Sequence, residues 1–596
     1  MAGDEDALQC EPVQQGSIKS SQSNDHGESS SHVDKASKTT GGSSNIRKYQ
    51  ENGNQLLPKW QLLLVSCTIY ATQFSYAIAT AYVIPIFYKL NMNMTFASMI
   101  WSISPILCLI FQPKVAILSH GCHSRMGRRR PFVLIFAVGV IIGLIFIANG
   151  ESIGRHAHTD NDHYHPWGIV FTALGVVLTD FSTDTCQIAT RSYMLDVTPS
   201  TQRQFAINLF AVVAGFGSCL AYMLSAIDWL YTLDDQIQVV FNIAIIMFVI
   251  CTGLTLISMR EPSTRPSRGL TNMQGGNRSN GYSNNHTYQQ LETDENQANR
   301  KEKYQQGESN SSAERRDNNE EEDDDAESYD EITDQDLNDS QPITFFLILK
   351  SFLTMPKPLL LLCITQFFGW SAFVSYQLFF TQYVGQVIYI DNHNINFNFN
   401  INQTYFKTGI QLGCWALLLH FISYSILAFL MKFIINLIDI RIVYILSQFT
   451  FAVAMAIIGS VANTSAVLVL SALSGLHLAA LISLPFMLVS SYQNSVNAKN
   501  SERETLGGGK SFFIPQWRID LFIAALTSLA YVAQAVVCLI MGGIITASGT
   551  YNAIIVVAGV LAGLSTICSI ILAVNVSPTC CSQYNDPDHF SPMYTR

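Results

Sequence analysis

Asp180, Asp184 and Arg191 lie within one apolar stretch, TALGVVLTDFSTDTCQIATRSYMLDV, residues 172–197. Spacings of four and seven are near-whole turns of a 3.6-residue helix, so two carboxylates and a guanidinium share one face. A charge at the centre of a bilayer costs from about 2.5 kcal/mol upward, so this face must line water or meet a partner. Carboxylate and guanidinium groups supply the dense, bidentate hydrogen bonding that a hydroxyl-rich solute requires. Proton coupling needs a carboxylate whose proton affinity changes as its site opens to water. The stripe reads as equipment for moving, sensing or binding something polar, with Asp180 and Asp184 sharing a titration and Arg191 answering their charge. The competing reading is a permanent structural ion pair.

The elements that position this stripe are membrane spans. Charged residues make up 13% of the chain, against about 25% in soluble domains. Apolar runs of about twenty residues occur near 61–83, 96–118, 131–149, 167–189, 204–226 and 238–258. A second set lies near 358–380, 408–431, 442–461, 465–489, 520–543 and 552–575. The expected fold is all-α and integral to the membrane, with twelve transmembrane helices in two six-helix halves; the alternating strands of a barrel are absent. Arg128, Arg129, Arg130, Arg203, Lys432, Arg441 and Arg518 crowd one set of loops, and Lys89, Arg155 and Lys407 are the few bases of the other. By the positive-inside rule both termini are cytosolic.

The formal net charge of −10 is local, since residues 317–339 hold thirteen acids and no base. The expected organisation is a disordered cytosolic tail at 1–55, a six-helix half at 56–258 and a disordered acidic linker at 259–341. A second half at 342–576 and a cytosolic tail at 577–596 complete it. The linker is a candidate docking segment for a cytosolic partner; no nucleic-acid partner is expected. Most of the thirteen cysteines read as small packing residues, whereas Cys580 and Cys581 follow the last span and are candidates for lipidation. Asn402 opens an Asn-Gln-Thr acceptor for glycosylation on the outer side. The loop HAHTDNDHYHPW (156–167) carries metal-type ligands without the spacing of a metal site, so no metal is assigned. GGGKS at 507–511 lacks the first glycine of a phosphate loop, and no nucleophile–base pair stands in the inner loops. Neither an enzyme nor a cofactor is expected.

Two strings carry more information. TQFSYAI at 72–78 and TQFFGWSAF at 365–373 form a faint internal repeat, as expected of a six-plus-six carrier with its site between the halves. SHGCHSRMGRRRPF, residues 119–132, sets three arginines after a turn at Gly127. This loop resembles the SxxCxSRxGRRRPF loop of the glycoside–proton symporter branch of the major facilitator superfamily, which includes plant sucrose transporters and animal proton-associated sugar transporters. FSYAIATAYVIPIF (74–87), SPILCLIFQP (104–113), AIDW (226–229), VGQVIY (384–389) and GCW (413–415) are similar to further stretches of that family. So is the pattern Asp180-x3-Asp184-x2-Gln187-x3-Arg191-x4-Asp196.

The resemblance implies alternating access and transport of a sugar, sucrose or a hexose, in symport with protons. It places proton coupling at Asp180 and Asp184 and solute contact at Arg191 and Gln187. The inner gate would comprise His120, Arg125, Gly127, Arg128, Arg129, Arg130 and Asp196. The chain also departs from the family. His120 and Gln382 stand where Asp is usual, and Ala79 and Gln73 where animal members usually carry Glu, which implies weakened proton coupling. Gln73, Tyr76, Trp370, Tyr376 and Gln377 are candidates to stack on or hydrogen-bond a sugar ring. His420 and His477 read as satisfied packing histidines. Two further readings stay open: a carrier of another polar or cationic solute, and a non-transporting sensor that signals through the linker. A plasma membrane and an acidic organelle fit equally.

Overall fold

Apolar residues fill a helical period over twenty or more positions at a time, and hydrocarbon leaves a backbone no hydrogen-bond partner but itself, so the chain forms long helices. A computed structural model describes residues 56–120, 122, 124, 126–157, 166–229, 233–259, 355–391, 399–461, 463–505 and 516–575. It leaves undescribed the side chains of 120, 155–157, 200, 204, 391, 399–403, 493–505, 516–521 and 575. The tails, nearly all of the linker, Arg125, Cys580, Cys581 and the side chains of His120 and Asn402 thus lie outside the described residues.

The helices of the first half are α1 (Lys59–Val65), α2 (Cys67–Lys89), α3 (Met94–His120), α4 (Arg130–Ala157), α5 (Pro166–Val197), α6 (Arg203–Ala226) and α7 (Leu233–Ser258). Those of the second are α8 (Lys357–Tyr383), α9 (Phe399–Leu437), α10 (Ile440–Val461), α11 (Thr464–Thr505), α12 (Gln516–Ser548) and α13 (Ala553–Asn575). A wide turn, Val384–Asp391, continues α8. Eleven of the described helices are long and apolar enough to cross a membrane, and α1 with α2, bent by 42°, makes the twelfth. The expected spans are all present.

The halves meet where α3 lies on α12, α6 on α9 and α2 on α8. Every residue of α2 from Ala77 to Phe87 is buried. Large apolar side chains turned outward, such as Phe216, Ile257, Phe429 and Val574, cover the outside, as hydrocarbon solvent requires.

Small residues fix the rotation of α5. In lipid, close helix approach depends on residues without bulk at the crossing. A Cβ on Gly143 of α4 would come within 2.7 Å of the Thr179 nitrogen and 2.9 Å of the Gly175 carbonyl oxygen. Gly139, Gly150 and Gly154 meet Ser182, Thr172 and Gly168 in the same way. With its small-residue face pressed on α4, α5 turns Asp180, Asp184 and Gln187 toward the centre.

Candidate functional site

Four helices bring polar stripes to the centre, each spaced in threes and fours. They are Gln73 and Tyr76 on α2; Ser104, Cys108 and Gln112 on α3; Asp180, Asp184 and Gln187 on α5; and Tyr531 and Gln534 on α12. Asp180 is 2% exposed, and its Oδ2 accepts a hydrogen bond from Gln534 Nε2 at 3.2 Å, across the halves. Ser104 on α3 stands close to the same carboxylate, though Oδ1 forms no well-shaped hydrogen bond among the described residues. Asp184, half-buried one turn away, lies 3.8 Å from Cys108 Sγ. Gln73 Nε2 donates to Gln187 Oε1 at 2.9 Å, and Gln112 Nε2 donates to Tyr531 Oη at 3.1 Å. The hydroxyls of Tyr76 and Tyr531 lie within electrostatic range of both carboxylates.

Arg191 stands about 10 Å along α5 from Asp184, at 1.5 Å per residue. No described carboxylate pairs with it, so the permanent ion pair is not formed. Its guanidinium lies 4.9 Å over the Phe210 ring, in electrostatic range of Tyr424 and Tyr531, and the residue is exposed. Tyr531 therefore stands between the acids and the cation.

The second half's candidates divide. Gln377, 5% exposed, reaches the Tyr222 hydroxyl, which shares a 2.7 Å hydrogen bond with Thr80 on α2. Trp370 packs edge-on against Phe373. Tyr376 is fully buried and turned into its own half, with ring centroids 4.5 Å from Phe380 and 5.5 Å from His420. A ring so enclosed serves packing there, so the structure does not bring Tyr376 to the acids. Sequence reasoning missed Ser104, Cys108, Gln112, Tyr424, Tyr531 and Gln534. The four-residue spacing of Ser104, Cys108 and Gln112 was a usable signal.

The basic loop also takes shape. Gly127 has φ 115°, a left-handed conformation that favours glycine. Arg128 Nη2 and Arg129 Nε both donate to Asp196 Oδ2, at 2.7 and 3.1 Å, and Arg129 also reaches Ser119. Arg130 donates to Tyr193 Oη at 3.1 Å, and that hydroxyl donates to the Met259 carbonyl. This cluster ties the end of α5 to α3, α4 and α7.

At the opposite, far end the halves are bonded together. Thr95 meets Thr546 at 3.1 Å, Gly542 N donates to Ser98 Oγ at 3.1 Å, and Gln411 Nε2 donates to Gln236 Oε1 at 3.3 Å. Lys407 Nζ lies 2.5 Å from Asp228 Oδ1, and this hydrogen bond holds the Asp228 carboxyl below its ordinary range against a small opposing effect of burial. These contacts close the far end over the acids, while Arg191 is open toward the arginine-rich end.

A two-half bundle with a polar site at its seam narrows the candidates to carriers, and the family model of the Major Facilitator Superfamily matches residues 62–391. The chain belongs to that superfamily. It is a multi-pass membrane transporter with this superfamily's all-α fold. Among its relatives, a human membrane-associated transporter protein is 27% identical over 515 residues, covering 85% of this chain and 92% of the relative. A proton-associated sugar transporter A from Rattus norvegicus is 38% identical over 212 residues, 35% of this chain and 28% of its own. The crystal structure of a D-xylose–proton symporter, 12% identical, matches with TM-score 0.50 over 85% of this chain and 96% of that one, a likeness of fold.

Proposed function

We propose that this superfamily member carries a sugar across its membrane by alternating access in symport with protons, the arginine-rich end being cytosolic. The observation that carries the reading is the hydrogen bond between Asp180 and Gln534, because it makes a carboxylate's environment depend on whether the halves are together. When α12 moves from α3 and α5, Asp180 exchanges an amide for water, and its proton affinity changes with the conformational cycle. Gln73, Gln112, Gln187, Tyr76 and Tyr531 add neutral donors and acceptors of the kind that sugar hydroxyls require. Arg191, open to water on the cytosolic side, would meet solute there. The likeness to the rat proton-associated sugar transporter A supports both sugar and proton. A plasma membrane and an acidic organelle both suit a carrier of this polarity.

Weak coupling is part of the proposal, because Ala79, Gln73 and Gln382 leave the first span of each half without acids. The test is uptake of radiolabelled sucrose and glucose into proteoliposomes with and without an inward proton gradient, Arg191→Ala serving as blank. Gradient-stimulated uptake lost in the variant supports symport. Uptake indifferent to the gradient makes the protein a facilitator. Failure of both sugars, with uptake of an organic cation, would transfer the two acids to a cation-binding role.

A further inference from the structure

The second half buries a set of polar side chains far from the acids of α5. His420 on α9, Ser471, Ser474 and His477 on α11, Tyr376 on α8 and Gln448 on α10 are each fully buried. They form one cluster. His477 stacks on Phe451 at 4.3 Å, Phe451 meets Tyr376 edge-on at 5.7 Å, and Tyr376 lies against His420. Gln448 Oε1 and His477 both approach Gly369.

The hydrogen bonds define what is left over. Ser474 Oγ has one proton and donates it to the Ser471 carbonyl at 2.6 Å, so in its 2.6 Å contact with His420 Nδ1 the imidazole must donate. His420 Nε2 is then a bare acceptor. His477 Nε2 lies 3.3 Å from the Gly369 carbonyl, which can only accept, so His477 Nδ1 is likewise a bare acceptor. Neither nitrogen has a partner among the described residues, nor does either end of the Gln448 amide; Tyr376 Oη and Ser471 Oγ approach each other without forming a well-shaped hydrogen bond. The two histidines are thus half-satisfied, which corrects their reading as fully satisfied packing residues. Membrane interiors do not tolerate so many unmet polar atoms in one place.

We infer that the second half encloses a hydrated chamber, in which bound water molecules complete the hydrogen bonds of His420, His477, Gln448, Tyr376 and Ser471. The unmet atoms include a pure donor (Gln448 Nε2), acceptors (two imidazole nitrogens, Gln448 Oε1) and two hydroxyls that serve as either (Tyr376 Oη, Ser471 Oγ). A cation would leave the Gln448 amide hydrogens unmet and an anion would face two imidazole lone pairs; water, donor and acceptor at once, serves them all, with about three bonds per molecule. The rings lie in contact, with centroids 4.3 Å apart for His477 and Phe451, 5.7 Å for Phe451 and Tyr376 and 5.5 Å for Tyr376 and His420, which leaves no berth for a sugar. Entry is from the arginine-rich end. There an open pocket is lined by Leu362, Arg441, Tyr444, Leu488, Ser491 and Ser569. Arg441, Tyr444, Gln448 and Phe451 follow one face of α10 at spacings of three, four and three, from the cavity to the histidines. Tyr444 Oη, buried and without a partner among the described residues, stands between the two.

X-ray hydroxyl-radical footprinting of the full-length protein in nanodiscs tests this, because radicals form from water held against the side chain. Tyr82 and Tyr383 are internal controls: both are fully buried, and their hydroxyls donate to the Ser225 and Ile458 carbonyls. Tyr376, His420 and His477 are expected to oxidise at the rate of exposed Tyr405, while Tyr82 and Tyr383 stay inert. Inertness of Tyr376 and both histidines would overturn the chamber. Gln448→Met, a near-isosteric change, gives a second readout. A bridging amide predicts slower oxidation of His477 and a lower Tm; an unchanged oxidation rate with a raised Tm would mean a bare amide and no water.

Discussion

The two halves use one architecture for opposite ends. Both begin with Thr-Gln-Phe on their first long helix, and both set that glutamine against the fourth span of the same half. Gln73 bonds the Gln187 side chain of α5, and Gln366 bonds the Leu481 carbonyl of α11. From there the chemistry diverges. The fourth span of the first half turns carboxylates and a guanidinium toward the seam; that of the second turns the hydroxyls of Ser471 and Ser474 and the imidazole of His477 into its own interior. On the proposed mechanism the lesson is a division of labour, in which the first half would carry the titrating groups and the second would supply neutral amides and hydroxyls, Gln534, Tyr531, Tyr424 and Gln377, as the halves close and separate.

The sharpest way to break this comparison is to neutralise the first half's acid. Asp180→Asn keeps an acceptor for Gln534 and removes the titration, so gradient-driven accumulation should fall to the Arg191→Ala blank. Asp184→Asn, at a position with greater exposure, should retain uptake and shift its pH profile. Full gradient stimulation in the Asp180→Asn protein would place coupling elsewhere and end the division of labour.

The next effect is structural. Asp196 neutralises Arg128 and Arg129, and the Arg129 side chain is 6% exposed. Removing one partner of a fully buried pair costs about 3–5 kcal/mol; with Asp196 a quarter exposed, about 2–3 kcal/mol is expected for Asp196→Ala. At the equivalent end of the second half the described ion pair, Arg441 to Asp439, is longer at 3.4 Å, so Asp439→Ala should lower the thermal midpoint of the purified protein by less than Asp196→Ala does. Gly143→Leu should follow at about 1–3 kcal/mol, the usual range for overpacking. It forces α5 from α4, so it should also reduce uptake, a loss that a stability effect confined to the lipid face would not produce.

How much of this was legible follows from the distances involved. The stripe on α5 could be read because all its residues sit in one helix, where spacing alone dictates a shared face. The spans could be read because the bilayer sets their length. Gln534 could not be assigned to Asp180, since 354 residues separate them and nothing local in either helix encodes the other. Tyr376 was misread for a related reason: an aromatic residue on a central span looks the same whether its ring faces the seam or its own half, and only packing against Phe380 and Phe451 decides. Cys108 shows the reverse error. It counted as apolar filler, yet its fourfold spacing with Ser104 and Gln112 put it beside Asp184.

The smallest expected effect concerns the far-end contact that joins the halves, Lys407 to Asp228. Here the carboxylate belongs to the first half and the cation to the second, so in this described contact the second half contributes a charge rather than a neutral group. Hydrogen bonding to Lys407 depresses the Asp228 pKa. A depressed carboxyl contributes stability that is present above its ordinary value, about 3.9, and is lost as pH falls through the folded-state value below that. The contact should therefore be indifferent to any change between pH 7 and pH 5. Because the Asp228 side chain is 69% exposed, the pair falls among surface ion pairs worth about 0.2–1 kcal/mol, a shift of no more than about fivefold between closed and open far ends. Spin labels on cysteines at Trp229 and Tyr405, both exposed, read that population directly. The distance distribution should hold from pH 7 to pH 5 in the parent, and a modest longer component should appear in Asp228→Ala at both. Opening of the parent at pH 5 would mean that another group latches the far end, and that the acid sensed there is not Asp228.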